Sequence, residues 1–303
     1  MDMPDTGKNF RSGYIVLAGK PNVGKSTLFN AIVGERLSIV SHRPQTTRNN
    51  IMGILTTDKA QMIFQDTPGL LEPHYRLQEM MLKSVRSAVA NADVLLGIVD
   101  ISDFEASFDE AFRQTLHATR LPCIVALNKI DLAGADLIES SVAAIKSSTH
   151  ESLQIVPVSA SEGKNLSQLQ NNLCDALPYG PLYYPEDMLT EHPERFFVAE
   201  LVREEIFIRL RQELPYAIAV KVEEFREDKA KTYIRADIIV ERNSQKGIVI
   251  GSGGKTLRTI GRNARIKIES FLANPVYLDL HVKVSENWRK KETALKGLGY
   301  EAS

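Results

Sequence analysis

The stretch GKPNVGKST at 19–27 places Gly19, Gly24, Lys25 and Ser26 at the spacing G-x-x-x-x-G-K-[ST]. Such a loop turns successive backbone N–H groups toward a phosphate chain, and a helix opening at its end adds the positive pole of its dipole. Gly19, Lys20, Pro21, Asn22, Val23, Gly24, Lys25, Ser26 and Thr27 are therefore the expected cradle of a nucleoside triphosphate. Lys25 would lie against the β- and γ-phosphates and the Ser26 hydroxyl would ligate Mg²⁺. The apolar run YIVLA before the loop and TLFNAIV after it supply the strand and helix that the motif requires.

Three further short motifs each end an apolar run. DTPG follows QMIFQ, which puts Asp66, Thr67, Pro68, Gly69 and then Leu70 at a strand's carboxyl end, with Asp66 available to Mg²⁺ through water and the Gly69 N–H to the γ-phosphate. NKID follows CIVAL in the same way. The Asp131 carboxylate can accept from the N1–H and exocyclic amine of guanine, two donors that adenine lacks, while Asn128, Lys129 and Ile130 shape the pocket and the Lys129 stem covers the base. In SAS, Ser159 and Ala160 stand where a backbone N–H reaches the guanine O6. The polar stretch ERLSIVSHRPQTTRNN at 35–50 has no periodicity and reads as a loop that closes on Mg²⁺ and the γ-phosphate; Thr47 is the expected closing residue, with Thr46 as the alternative. The expected catalytic group is thus Lys25, Thr47, Asp66 and Gly69, and the expected metal ligands are Ser26, Thr47 and Asp66.

A second glycine loop, GIVIGSGGKTLR at 247–258, ends like the first. A nucleotide loop finishing at Gly254, Lys255 and Thr256 needs glycine five residues before Gly254, and that residue is Val249. What remains is a G-x-x-G loop of Gly251, Ser252, Gly253 and Gly254, of the kind with which KH modules clamp the backbone of about four nucleotides of single-stranded nucleic acid. From Arg242 through Ile268 there are seven basic residues and no acidic one. Lys255, Arg258, Arg262 and Arg265 fall on one face of the expected helix, and Leu257, Ile260, Ala264 and Ile268 on another. The expected RNA-binding set is Ile250, Gly251, Ser252, Gly253, Gly254, Lys255, Arg258, Arg262 and Arg265, with Ile248, Val249 and Ile250 serving either a base groove or the core.

These loops need elements to hold them. From Gly13 to about Leu177, short apolar runs alternate with helix-length segments, which predicts an α/β P-loop domain with a mostly parallel sheet covered on both faces. Thr57-Asp58-Lys59 splits two of the runs into a hairpin, so the sheet is mixed. Four prolines between Pro178 and Pro193 predict a linker. A long helix over 195–214, two strands, two helices and a strand over 276–284 then form an α+β module. The expected organisation is a nucleotide domain at 1–180, a linker at 181–194 and an RNA-binding domain at 195–303.

The 303 residues accommodate two such domains, and the formal charge of −1 confines any nucleic-acid footprint to a local cluster. Cys123 and Cys174 read as reduced core residues, the six histidines have no metal-ligand spacing, and no apolar run approaches a membrane span, so a cytoplasmic protein is expected. Trp288 reads as a surface anchor for the last helix or a base-stacking group.

GKPNVGKST, PQTTR, DTPGL, NKID and VSAS, in this order, resemble the GTPases of the Era and Der type; with ELPYAIAV and VIGSGGKTLRTIGRNAR the resemblance to the Era family extends over nearly the whole chain. It implies a KH domain of the second topological type that binds near the 3′ end of small-subunit ribosomal RNA. A role in small-subunit maturation, hence ribosome biogenesis, is implied with it, as is peripheral association with the inner membrane; a monomer is expected. Leu70 stands where many GTPases carry a water-orienting glutamine, which implies slow intrinsic hydrolysis. Asn22 resembles the asparagine with which related loops hold K⁺, against the alternative that it only shapes the loop; equal turnover in K⁺ and Na⁺ would remove the cation role. The rival reading is a constitutive RNA-binding module with a structural nucleotide domain, against which intact Lys25, Ser26, Asp66 and Asp131 weigh; a second is an ATP-driven remodeller, against which Asn128-Lys129-Ile130-Asp131 weighs.

Overall fold

The computed structural model describes residues 9–40, 43, 46–69, 73–149, 153–228 and 230–300. They fall into two compact units, the first made of Met1–Ser38, Thr47–Leu71 and Leu82–Glu191, the second of Ile39–Thr46, Glu72–Met81 and His192–Ser303.

The first unit is built on six strands: β1 (Arg11–Ala18), β2 (Ile51–Thr56), β3 (Ala60–Asp66), β4 (Val94–Asp100), β5 (Cys123–Asn128) and β6 (Gln154–Pro157). Their order is β2-β3-β1-β4-β5-β6, all neighbours parallel except the β2–β3 hairpin. Every residue of β3 and β4 is buried, as central strands covered on both faces must be. The covering helices are α1 (Lys25–Val33), α2 (Arg76–Ala90), a single turn α3 (Phe104–Ser107), α4 (Glu110–Ala118), α5 (Ala135–Ser147) and α6 (Leu166–Ala176). Phe112 and Leu116 of α4 and Ile145 of α5 pack on Val16, Leu95, Val99 and Val125 at one face, while α1 and α6 pack together at the other. In the hairpin the Thr57 hydroxyl accepts from the Ala60 N–H at 3.1 Å, the side-chain-to-backbone bond that favours Thr in such turns.

The proline-rich stretch carries no helix, yet it is bound along its length. Tyr183 and Tyr184 N–H groups donate to Gln61 Oε1 at 2.8 and 2.9 Å, the Ile54 N–H donates to Leu189 O at 2.8 Å, and the Thr190 hydroxyl donates to Met52 O at 2.7 Å. The outer edge of β2 is thereby covered rather than left open to pairing.

In the second unit α7 (Glu194–Arg209) leads to β7 (Ala219–Arg226), β8 (Thr232–Val240), α8 (Asn243–Ile250), α9 (Lys255–Leu272), β9 (Val276–Val284) and α10 (Glu292–Gly297). The sheet order is β7-β8-β9, antiparallel then parallel. Val198, Val202 and Ile206 of α7 meet Ile260, Ala264 and Ile268 of α9 over Ile234, Ile238 and Val282. Three expectations are corrected. The first helix stops at Arg209 rather than near 214, because the backbone turns extended at Leu210, with φ −90° and ψ 155°, and Gln212 then adopts φ 57°. Trp288 is no surface anchor: it is fully buried, donates Nε1–H to Ala217 O at 3.0 Å and stacks on Tyr300. Cys123 and Cys174 are half-buried rather than core, and burial pushes the Cys123 thiol up to about 11.

Candidate nucleotide site and nucleic-acid groove

Strand register assembles the nucleotide residues at one end of the first sheet. Leu17 of β1 pairs with Asp66 of β3, Ala18 with Gly97 of β4, and Asp100 of β4 with Asn128 of β5, so four strands deliver their carboxyl ends side by side, where open α/β sheets bind ligands. The loop Gly19–Gly24 leaves β1 and enters α1, whose first amides have no side-chain cap and remain for an anion. Gly24 sits at φ 96°, and a Cβ there would lie 2.3 Å from Asn128 Nδ2. That amide donates to Val23 O at 2.9 Å and ties the phosphate loop to the base-binding strand, so the glycine is required by both backbone and space.

Lys25 is buried, and its ammonium donates to the Gly19 and Lys20 carbonyls at 3.0 and 2.8 Å. Burial lowers its pKa to about 8, against the raising influence of Asp66. A phosphate beside Nζ would reverse that desolvation and hold the ammonium charged. Gly69 closes over the same lysine: a Cβ at 69 would be 3.4 Å from Lys25 Nζ and 3.2 Å from Pro21.

Ser26, Thr47 and Asp66 converge. The Ser26 hydroxyl lies 2.7 Å from Asp66 Oδ2 and 3.0 Å from Thr47 Oγ1, which is itself 3.5 Å from Asp66 Oδ2. The Thr46 hydroxyl instead donates to Arg43 O at 2.7 Å, so the geometry separates the two threonines that the sequence alone left open. Asp66 is fully buried and its pKa is raised, chiefly by desolvation, while its Oδ1 has no hydrogen-bond partner. Two hydroxyls and an orphaned carboxylate oxygen form a hard-oxygen donor set that fits Mg²⁺.

Two contributors carried no sequence signal of their own. The buried Ser38 hydroxyl donates to Asp66 Oδ2 at 2.7 Å, and Ser38 is held by Asn30 of α1, whose side chain bonds Ser38 O at 2.8 Å, Ser38 N at 2.9 Å and Leu37 N at 3.0 Å. Asp100, at the end of β4, pairs with Lys129 Nζ at 2.5 Å. Its place follows from strand order: it ends the strand between β1 and β5, both of which deliver residues to the site.

At the base end, Lys129 adopts φ 65° and its ammonium also donates to Asn22 O at 3.0 Å. The Ser159 hydroxyl donates to Asp131 Oδ1 at 2.5 Å and fixes the carboxylate. The Ala160 N–H is engaged by Asn128 Oδ1 at 3.1 Å, which braces Asn128. Ile130 N–H donates to Val158 O, Thr67 is buried with its hydroxyl on Leu17 O, and Pro68 is buried. Asn22 is exposed, Val23 is buried, Thr27 is half-buried, and Lys20 pairs with Asp109 at 2.6 Å, leaving its backbone to the loop. Leu70 lies outside the described residues.

In the second unit, Gly251, Gly253 and Gly254 all have positive φ, and the exposed Ser252 stands between them. Arg258 folds its guanidinium onto Gly253 O. Beside the loop, a groove of about 500 Å³ runs between α9 and β9, lined by Gly254, Leu257, Arg258, Gly261, Arg262, Arg265, Leu278 and Leu280. Lys255, Arg258, Arg262 and Arg265 are exposed, and the three arginines line the groove. Lys267 is not part of that basic face, being drawn to Glu204 and Glu205 of α7 at 2.7 and 2.5 Å. Of the apolar residues before the loop, Val249 is core, Ile250 packs on the core and Ile248 is exposed; the groove wall comes instead from Leu278 and Leu280.

Residues 14–129 match the family described as 50S ribosome-binding GTPase, and residues 213–289 match the KH domain. Over 295 residues, 97% of this chain and 99% of the relative, the sequence is 43% identical to the GTPase Era of Clostridium beijerinckii. An Era variant from Aquifex aeolicus bound to GDP and AlF4⁻ is similar at a TM-score of 0.90 and 37% identity, covering 96% and 99% of the two chains. Era in complex with MgGDPNP and nucleotides 1506–1542 of 16S ribosomal RNA is similar at 0.90 and 36% identity, with the same coverage. With a GTPase fold followed by a KH fold and similarity over nearly the full length, this chain belongs to the Era family of GTPases and hydrolyses GTP to GDP and phosphate.

Proposed function

We propose that this GTPase is a switch that binds small-subunit ribosomal RNA near its 3′ end, through the Gly251–Gly254 loop and the basic face of α9, and so assists assembly and maturation of the small ribosomal subunit. The relative captured with nucleotides 1506–1542 of 16S ribosomal RNA supports the choice of ligand. A cytoplasmic location, peripheral contact with the inner membrane and a monomeric chain accompany this reading; among the described residues no helix is long and apolar enough to cross a membrane.

The observation that carries the switch is the membership of the second unit. Residues 39–46 follow Ser38 and precede Thr47, residues 72–81 come soon after Gly69, and both segments belong to the unit that holds the glycine loop. Within it, Arg289 covers the Tyr75 ring at 4.8 Å and Arg76 pairs with Glu292 at 3.1 Å. Lys25 would hold the β- and γ-phosphates, and Ser26, Thr47 and Asp66 would hold Mg²⁺, which supplies charge neutralisation at the transferring phosphoryl group. The Thr47 hydroxyl and the Gly69 N–H sense the γ-phosphate, and their movement pulls on the segments beside them. Asn22 is the proposed K⁺ ligand in the same loop.

Nucleotide and RNA affinities are then linked, each altering the other by the same factor, typically 5–150. An RNA covering the 3′ end of the small-subunit RNA should change the GTP affinity of the full chain by a factor of about 5 or more, and its turnover should change with it. Identical values with and without that RNA would refute the switch.

A further inference from the structure

The face of the β7-β8-β9 sheet opposite its helices has no part in the groove, yet it carries a row of aromatic and cationic side chains. Strand alternation sends Ile234, Ala236 and Ile238 into the core and Tyr233 and Arg235 to the open side; on β9, Tyr277 and Asp279 alternate with Leu278 and Leu280. Register sets Arg226, Tyr233 and Tyr277 side by side across the three strands. The tyrosine rings stack at 5.8 Å and 11°, Arg226 covers Tyr233 at 4.6 Å, and Lys231 Nζ lies 5.1 Å from the centre of Tyr277. The Tyr233 hydroxyl, 3.4 Å from Asp279 Oδ2, orients the pair. Tyr277, on the edge strand, is 53% exposed.

The position of this row relative to the groove gives it a use. A short turn joins α9 to β9, so the two run antiparallel: Leu280 faces Gly261, near the glycine loop, and Leu278 lies farther along. From Gly254 to Arg265 the helix advances about 16 Å. Beyond Arg265 the groove ends, and the next residue of the edge strand after Leu278 in that direction is Tyr277, one step around the edge on the open face.

We propose that Tyr277 and Tyr233, flanked by Arg226 and Lys231, form a stacking platform for the one or two nucleotides of single-stranded RNA that leave the groove past Arg265. The inference rests on the RNA-binding reading above. A base replaces Lys231 on the exposed Tyr277 ring, and the displaced ammonium takes the neighbouring phosphate, so the cation–π contact is exchanged for a stack and an ion pair. Single-stranded RNA suits the row because every base has a stacking face, and the two cations lie within one nucleotide's reach of the rings.

The test uses the full chain with three RNAs from the small-subunit 3′ end: one of four nucleotides seated on the glycine loop, and two extended by three nucleotides at either end. The native chain should bind one of the extended RNAs about tenfold or more tighter than the short one. Tyr277→Ala should remove that preference and leave short-RNA affinity unchanged, while Tyr277→Phe should keep it. A Tyr277→Ala chain with the native ratio, or a native chain with no length preference, overturns the platform alone. If none of the RNAs binds the native chain, or if all bind and Arg262→Glu changes no affinity, the RNA-binding reading fails with it.

Discussion

Replacing Asp131 with alanine is expected to lower GTP affinity by a factor on the order of 10⁴ while leaving the weak affinity for ATP nearly unchanged. The carboxylate is not a loose surface group: the Ser159 hydroxyl holds Oδ1 at 2.5 Å, and residues 130–132 form a single 3₁₀ turn directly after Lys129. That fixed acceptor would meet two donors of guanine at once, and charged acceptors make the stronger hydrogen bonds. Alanine would leave both guanine donors without their acceptor, whereas adenine offers the carboxylate nothing to lose. Competition titrations with GTP and ATP read the effect directly. Equal losses for the two nucleotides would mean that Asp131 shapes the loop and does not read the base.

The residues that met this requirement were legible because phosphate and base binding constrain local chemistry. Glycines at 19 and 24, Lys25 and the carboxylates at strand ends must occur at set spacings, and each lies next to the apolar run that places it. Ser38, Asn30 and Asp100 were not legible, since their roles depend on which strand neighbours which. Ser38 reaches Asp66 only because Asn30 pins the chain to α1, and Asp100 reaches Lys129 only because β4 lies between β1 and β5. The groove shows the same limit: its basic side followed from helical spacing in α9, but Leu278 and Leu280 join it through the antiparallel return of β9. Lys267, with the basic run in sequence, turns to the buried carboxylates of Glu204 and Glu205 on α7, the first of them 63 residues away in the chain. Trp288 looked like an exposed residue because charged neighbours surround it in sequence, whereas a 3₁₀ turn directs it inward.

Gly251 offers the sharpest separation of the two binding activities. Its backbone, φ 71° and ψ 170°, lies in a region that essentially only glycine occupies, and a Cβ would fall 2.2 Å from Thr256 Oγ1, 2.8 Å from Thr256 Cβ and 3.0 Å from Thr256 N. Rotating the threonine relieves only the first of these contacts, so the loop itself must move. Gly251→Ala should therefore cost about 1–3 kcal/mol of stability in the second unit. RNA affinity should drop by a factor of about 100, the equivalent of roughly 3 kcal/mol, because the amides that would face the RNA backbone are displaced together. GTP affinity without RNA should stay at the native value, since every nucleotide residue belongs to the first unit. Gly254 supplies the contrast. At φ 76° and ψ 14° it occupies the left-handed region that asparagine also tolerates, and a Cβ there has only the Arg258 guanidinium within reach, at 3.6 Å. Gly254→Asn should keep the fold and lose less RNA affinity than Gly251→Ala. The reverse order, with Gly251→Ala binding RNA at the native level, would show that the side chains of α9, and not the backbone of this loop, hold the RNA.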